Sequence, residues 1–213
     1  QPFDEYSDRY EQWFSRYKPV YDSEIKALQE IMPVSSSDGT GPPVGLEIGA
    51  GSGLFASRLK IAYGVEPSGA MTESARERGI EMKQGVAEAL PYPDGQFDVT
   101  LMVTAICFVD DFDKSLEEIR RVLKPGGWAV FGFVDKDSPL GLVYQEHKEE
   151  NIFYRDATFY SASEVISDLQ AKQFKIETVR QTVFGKLDSI TEDQESKDGY
   201  GEGGFVVIRA KKG

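Results

Sequence analysis

Three glycines at alternate positions, Gly49, Gly51 and Gly53, follow a short apolar run in "PVGLEIGAGSGLF", residues 43–55. Glycine at the end of a first strand lets the chain turn sharply into a helix and lets a ligand touch main chain with no Cβ in the way. An acid, Glu47, stands two residues before the first of them, and a second acid, Glu66, ends the next apolar run in "YGVEPSGAM". At a strand end, such a side chain is placed to accept hydrogen bonds from both hydroxyls of a ribose. The dinucleotide fingerprint G-x-G-x-x-G would need its third glycine at position 54, which is Leu54. The spacing is G-x-G-x-G. A pyrophosphate prefers a helix N-terminus free of nearby negative charge, whereas Glu47 suits a ligand with a positive group, such as an amino acid's ammonium.

A ribose joined to an amino acid, with no phosphate, describes S-adenosyl-L-methionine. Four segments in order, "VGLEIGAGSGLF", "YGVEPSGAM", "GVAEALPYPDGQFDVTLMVTAICFVDD" and "RRVLKPGGWAVFG", resemble class I S-adenosylmethionine-dependent methyltransferases, and among them the methyltransferase type 11 domain family. The resemblance covers residues 44–135 strongly and the remainder loosely, by topology. It implies an α/β, Rossmann-like three-layer sandwich. The sheet would have seven mostly parallel strands, with the last, "GGFVVIRAKK", antiparallel and inserted between the fifth and sixth. It also implies S-adenosyl-L-methionine as cofactor and S-adenosyl-L-homocysteine as product. Carried over by motif, Glu47, Gly49, Ala50, Gly51 and Gly53 line the methionine end. Glu66, followed by Pro67, takes the ribose. Val86, Ala87 and Glu88 surround the adenine, and Thr104 offers backbone to the methionyl ammonium. One departure stands out. Many relatives carry polar or His residues just after the fourth strand, where this chain has "AICFVDD", and its apolar Ile106, Cys107 and Phe108 put a base at that place in doubt.

Methyl transfer from a sulfonium needs little covalent help. The protein mainly holds a nucleophile near the methyl and excludes water. A general base matters only for a nucleophile that arrives protonated. The catalytic group is therefore unknown from sequence. The weak candidates are His147, the single histidine, together with Tyr10 and Tyr144. Tyr154 shares the region. Cys107 has no basic neighbour in sequence to activate it. No metal site is expected from one cysteine and one histidine.

Those residues must be carried by elements that the hydrophobic pattern outlines. Phe3, Tyr6, Tyr10, Trp13, Phe14, Tyr17 and Tyr21 recur at spacings of three and four, a helical stripe within 3–31 that Pro19 breaks or kinks. The stripe reads equally as core packing or as a lid over the cofactor. From residue 44 to about 184, strands at 44–48, 62–66, 80–87, 97–108, 128–135 and 175–184 alternate with helices at 54–61, 68–79, 113–127 and 161–173. A closing strand spans 203–212. The expected organisation is a single methyltransferase domain over 1–213: a helical lid at 1–40, a cofactor core at 41–135 and a substrate-side half at 136–213. Loops 104–111, 135–160 and 185–202 would form the acceptor pocket.

The net charge of −12 argues against a nucleic-acid partner. The chain has no run of about 18 apolar residues and starts without a basic-then-apolar segment, so neither a membrane span nor a signal peptide is expected, and the cytoplasm is the default compartment. A monomer and a homodimer are equally allowed. The acidic, glycine-rich stretch 191–204 reads either as a solvated loop or as a flap that closes on the site and favours a cationic amine, which the net charge would also attract. The expected acceptor is thus a small molecule, of cationic character in the second case. Two alternatives stay open. One is an NAD(P)-dependent oxidoreductase, disfavoured by the glycine spacing, although Tyr144 and Lys148 do have Tyr-x-x-x-Lys spacing. The other is a non-catalytic cofactor-binding module.

Overall fold

The computed structural model describes residues 7–213 of the chain, so Phe3 and Tyr6 of the aromatic stripe lie outside the described residues. Two helices come first, α1 (Ser7–Arg16) and α2 (Lys18–Ile31). The break falls at Tyr17, and Pro19 sits in the first turn of α2. Its missing N–H costs nothing there. Then follow β1 (Gly45–Ile48), α3 (Leu54–Leu59), β2 (Tyr63–Glu66), α4 (Gly69–Glu77), β3 (Glu81–Gln84) and β4 (Phe97–Val103). The second half holds α5 (Phe112–Val122), β5 (Leu123–Val134), α6 (Pro139–Glu146), α7 (Ala162–Ala171), β6 (Phe174–Thr182), β7 (Lys197–Asp198) and β8 (Phe205–Lys212).

The sheet runs β3-β2-β1-β4-β5-β8-β6-β7. Pairs among β1 to β5 are parallel, and β8 lies antiparallel between β5 and β6. This is the seven-stranded order expected from sequence, extended at one edge by the two-residue β7. That addition escapes a sequence reading because two exposed polar residues carry no hydrophobic pattern. Helices cover both faces. On one, Leu116, Ile119 and Val122 of α5, beside β5, and Val165 and Leu169 of α7, beside β6, join one core cluster. On the other, Ile25 and Leu28 of α2, against β5, β8 and β6, Phe55 and Ala56 of α3, against α2, and Ala75 of α4, against β2 and β3, join a second. The result is a Rossmann-like three-layer α/β architecture.

Local chemistry fixes the helix starts. Ser68 accepts the Met71 N–H, Asp111 accepts the Lys114 N–H, and Ser161 with Glu164 completes a capping box. Among the boundaries that differ from expectation, two shift by several residues for a visible reason. The helix expected over 113–127 stops at Val122, because Leu123 already pairs with Phe97 and starts β5. Gly126, with φ +70°, lies within the irregular register that realigns the chain onto Trp128. The strand expected over 97–108 ends at Val103, where Thr104 takes φ +53° and donates its N–H to Gly132 O at 2.7 Å. That turn throws Ile106–Phe108 out of the sheet as a single 3₁₀ turn.

Because β1 sends the chain outward to β2 and β3 before it returns to β4, the strand order reverses between β1 and β4. Crevices at the carboxyl ends of such strands bind ligands.

Candidate functional site

A cleft of about 380 Å³ opens there, floored by the ends of β1, β2 and β4. The glycine loop forms one wall with bare main chain. Gly49 has φ +68°, and a Cβ on it would stand 2.4 Å from the Ala105 Cβ, so the loop after β4 packs where a side chain would otherwise be. Gly51 turns its N–H to Glu66 Oε2 at 3.0 Å, while Glu66 Oε1 accepts the Ser68 N–H at 3.0 Å. Glu66 thus stands at the cleft wall, 7% exposed, clamping the glycine loop to the start of α4. Val65, Met71 and Met102 supply apolar surface, and Pro67, Val86 and Ala87 line the far end.

The remaining sequence-expected residues divide. Glu88 lines the cleft, but its Oε1 accepts the N–H groups of Asp110 at 2.7 Å and Asp111 at 3.1 Å, tying the loop after β3 to the loop after β4. Thr104 lines it, with its side chain close to the Tyr10 phenol. Glu47 does not line it. It is 1% exposed, and its Oε2 accepts the Ala56 N–H at 2.9 Å at the start of α3. Burial, with the nearby Glu66 charge adding to it, pushes the Glu47 carboxyl well above its ordinary value. Ala50 and Gly53 are also behind the loop: Ala50 is buried in the core, and Gly53 (φ +79°) caps α3 against Ala75.

Four carboxylates line this cleft, Glu66, Glu88, Asp110 and Asp156, and no Lys or Arg is among its described lining residues. A dinucleotide's pyrophosphate would meet only negative charge. A ligand with ribose hydroxyls and net positive charge meets acceptors.

Against the cleft, sharing Tyr10, Thr104, Phe108 and Phe153 as a common wall, lies a second chamber of about 560 Å³. Its walls are aromatic: Trp13 and Tyr17 from α1 and the residue after it, Tyr144 from α6, and Tyr154. Tyr144 stacks on Tyr154 with centroids 5.4 Å apart, and Tyr154 stacks on Phe108 at 5.7 Å. The N-terminal stripe therefore does both things the sequence allowed. Phe14 and Tyr21 pack on Phe55 in the core, while Tyr10, Trp13 and Tyr17 also face the cavities.

His147 lines neither cavity. It ends α6 with 59% of its side chain exposed, 3.4 Å from Glu150. Tyr10 and Tyr144 do line the second chamber, with burial raising both phenols far above their ordinary value. Cys107 is buried, its thiol pushed up to about 12 by desolvation, and it donates to Thr104 O. The 191–204 flap is corrected: none of its residues lines either cavity. Ion pairs from Lys26 to Asp193 and Glu195, and the pairing of β7 on β6, pin it to the sheet edge and α2. No group of acidic, His or Cys residues among the described residues could hold a metal ion, and no described helix is long and apolar enough to cross a membrane.

Sequence reading missed Glu24, which lies in the second chamber. A signal was present. Its helical neighbours at three and four positions, Val20, Tyr21, Ala27 and Leu28, are all apolar, which puts Glu24 on the buried face of α2.

Fold and cleft together define an α/β protein built for a nucleoside-bearing cofactor without phosphate. Residues 46–131 match the family model described as a methyltransferase domain. A protein of Thermotoga maritima, whose crystal structure is described as that of a SAM-dependent methyltransferase and possible histamine N-methyltransferase, is 43% identical, with 99% of this chain and 98% of that one covered and a TM-score of 0.93. An uncharacterised protein of Methanocaldococcus jannaschii is 42% identical over 210 residues, 99% of this chain and 98% of its own length. A 2-phytyl-1,4-naphthoquinone methyltransferase of Nostoc punctiforme is 33% identical over 156 residues, 62% of this chain and 68% of its own length. The chain belongs to the S-adenosylmethionine-dependent methyltransferases.

Proposed function

We propose that the protein transfers the methyl of S-adenosyl-L-methionine to a small-molecule acceptor, with the cofactor in the cleft and the acceptor entering from the second chamber. The observation that carries the reading is a cleft walled by the bare glycine loop and Glu66, rich in carboxylates and without a cation among its described lining residues. Glu66 would hold the ribose hydroxyls, the main chain at Gly49, Gly51 and Thr104 the amino-acid end, and Val86 and Ala87 the adenine. Glu88 acts by positioning the loop after β4 through its two backbone bonds. Glu47 lies one layer back and supports the glycine loop through Ala56. When bound, the cofactor supplies a methyl on a sulfonium, an already activated donor. The chain's own work is to orient and to exclude water, which Tyr10, Phe108 and Phe153 do at the shared wall. His147, exposed and remote from both linings, has no part in this scheme.

The Thermotoga maritima relative's description places amines first in an acceptor panel, with thiols and phenols after them. Incubation of the purified protein with S-adenosyl-L-methionine and each acceptor, followed by mass spectrometry, tests the reading. Acceptor-dependent formation of S-adenosyl-L-homocysteine, matched by a product 14 Da heavier than the acceptor, is the expected outcome. Homocysteine compound formed at the same rate with and without every acceptor would count against it.

A further inference from the structure

Glu24 is 5% exposed and faces a chamber rather than a partner. It has no hydrogen bond or ion pair with any described residue. An unpaired carboxylate in an apolar enclosure is costly, because burial removes the water that solvates its charge. The rings of Trp13, Tyr17, Tyr144 and Tyr154 line the same chamber, and the charge of Glu24 is felt at Tyr144 and Tyr154. Ring faces carry negative charge and attract cations, more strongly once water is excluded. Two arginines, Arg9 and Arg16, also line the chamber. Arg16 is engaged by Asp188 at 3.8 Å and lies over the Tyr17 ring at 5.1 Å, and neither arginine reaches Glu24. The enclosure thus holds one buried carboxyl group without a protein partner and a shell of rings, with the place of a counter-ion to the ionised carboxylate left to a ligand.

We propose that the second chamber is a binding site for a cationic amine, its ammonium seated against the Glu24 carboxylate and its carbon frame enclosed by the rings of Trp13, Tyr17, Tyr144 and Tyr154. The methyltransferase reading makes this amine the acceptor, its ammonium first passing a proton to the Glu24 carboxylate so that the freed nitrogen lone pair takes the methyl as the carbon–sulfur bond of the donor breaks, and the inference rests on that reading for that role; the amine site itself rests on the chamber. The segment 191–204 has no part in the selection. The positive ligand is chosen from inside, by one carboxylate and the rings, rather than by an acidic flap.

The pair forms only when the ligand is an ammonium and Glu24 is ionised. Burial pushes Glu24 up to about 8, so amine affinity rises as the pH passes from 6.5 to 8.5. The other groups facing it hold their states over that range. Tyr10, Tyr144 and Tyr154 are raised by burial and further by the Glu24 charge, and stay neutral. Tyr17 and Tyr21 are raised too, and the guanidinium groups of Arg9 and Arg16 line the same chamber.

Calorimetric titration with 2-phenylethylamine tests the proposal, run beside its neutral analogue 2-phenylethanol and its anionic analogue 3-phenylpropionate. Each is titrated with and without saturating S-adenosyl-L-homocysteine. The amine is expected to bind at least tenfold more tightly than either analogue and to gain about twenty-five-fold between pH 6.5 and 8.5. Glu24→Gln should abolish both the preference and the pH dependence while leaving the affinity for S-adenosyl-L-homocysteine as it was, which also shows that the variant is folded. Equal binding of amine and alcohol, no binding of the amine, or an unchanged preference in Glu24→Gln would overturn the proposal. Amine preference without any binding of S-adenosyl-L-homocysteine would sink the methyltransferase reading and leave the amine site standing. The reverse result would do the opposite.

Discussion

A Glu66→Gln variant is expected to bind S-adenosyl-L-homocysteine about thirtyfold more weakly than the wild type, a loss of about 2 kcal/mol, from the usual 1.5–3 kcal/mol of a hydrogen bond to a charged group. Without ligand, Glu66 already does one job: its two oxygens accept the Gly51 and Ser68 N–H groups and hold the glycine loop against the start of α4. A carboxylate is a strong acceptor for paired hydroxyl donors such as the vicinal hydroxyls of a ribose. The carboxamide keeps the shape. It also turns one NH₂ toward a backbone donor and loses the charge, so the fold should soften by about 1 kcal/mol while the ligand loses more. Parallel thermal melts separate the two effects. A thirtyfold loss with only a small fall in Tm supports a direct ligand role. Unchanged affinity would show that Glu66 serves only the loop.

Glu24→Gln is expected to stabilise the protein, and to do so only above pH 5. The sign follows from the raised carboxyl. In the unfolded chain a glutamate releases its proton near 4.5, and in the folded state Glu24 holds it until about 8. Stability from this group is therefore complete below pH 4.5 and is lost as pH rises toward 8, at up to about 1.4 kcal/mol per pH unit, or on the order of 4 kcal/mol across the window. Glutamine does not titrate. The variant and the wild type should melt within about 1 °C of each other at pH 5, and the variant about 5 °C or more higher at pH 8.5. Glu47, also raised by burial, is common to both proteins and cancels in the comparison. Parallel stability curves from pH 5 to 8.5 would mean that Glu24 is solvated or paired in solution. A residue that costs stability and faces a cavity is the usual sign of a function kept at that expense.

The parallel half of the sheet and the loops at its strand ends were legible from sequence because their signals are local. The glycine loop, the acid ending β2 and the apolar runs of β1 and β4 each lie within a dozen residues. Parallel strands buried on both faces read as continuous apolar runs. The caps at Ser68 and Ser161 could be read for the same reason. Boundaries failed where tertiary pairing overrode a helical pattern. Leu123 continues the apolar face of α5, yet its partner Phe97 draws it into the sheet. Thr104 gives no local sign of its positive φ. The role given to Glu47 by position also shifted, since alternation along β1 turns its side chain into the layer beneath the loop. The second chamber was the least legible part. It joins Trp13, Glu24, Tyr144 and Tyr154, and Tyr144 and Tyr154 come from more than a hundred residues beyond Glu24 in the chain. Only the apolar neighbours of Glu24 on its helix hinted that it points inward.

The most direct test of the central claim is a calorimetric titration of the purified, ligand-stripped wild-type protein with S-adenosyl-L-homocysteine and, separately, with NAD. A cleft lined by Glu66, Glu88, Asp110 and Asp156 and by no described Lys or Arg predicts one micromolar site per chain for the homocysteine compound and no measurable binding of the dinucleotide. Binding of NAD, or failure of S-adenosyl-L-homocysteine to bind, would contradict it.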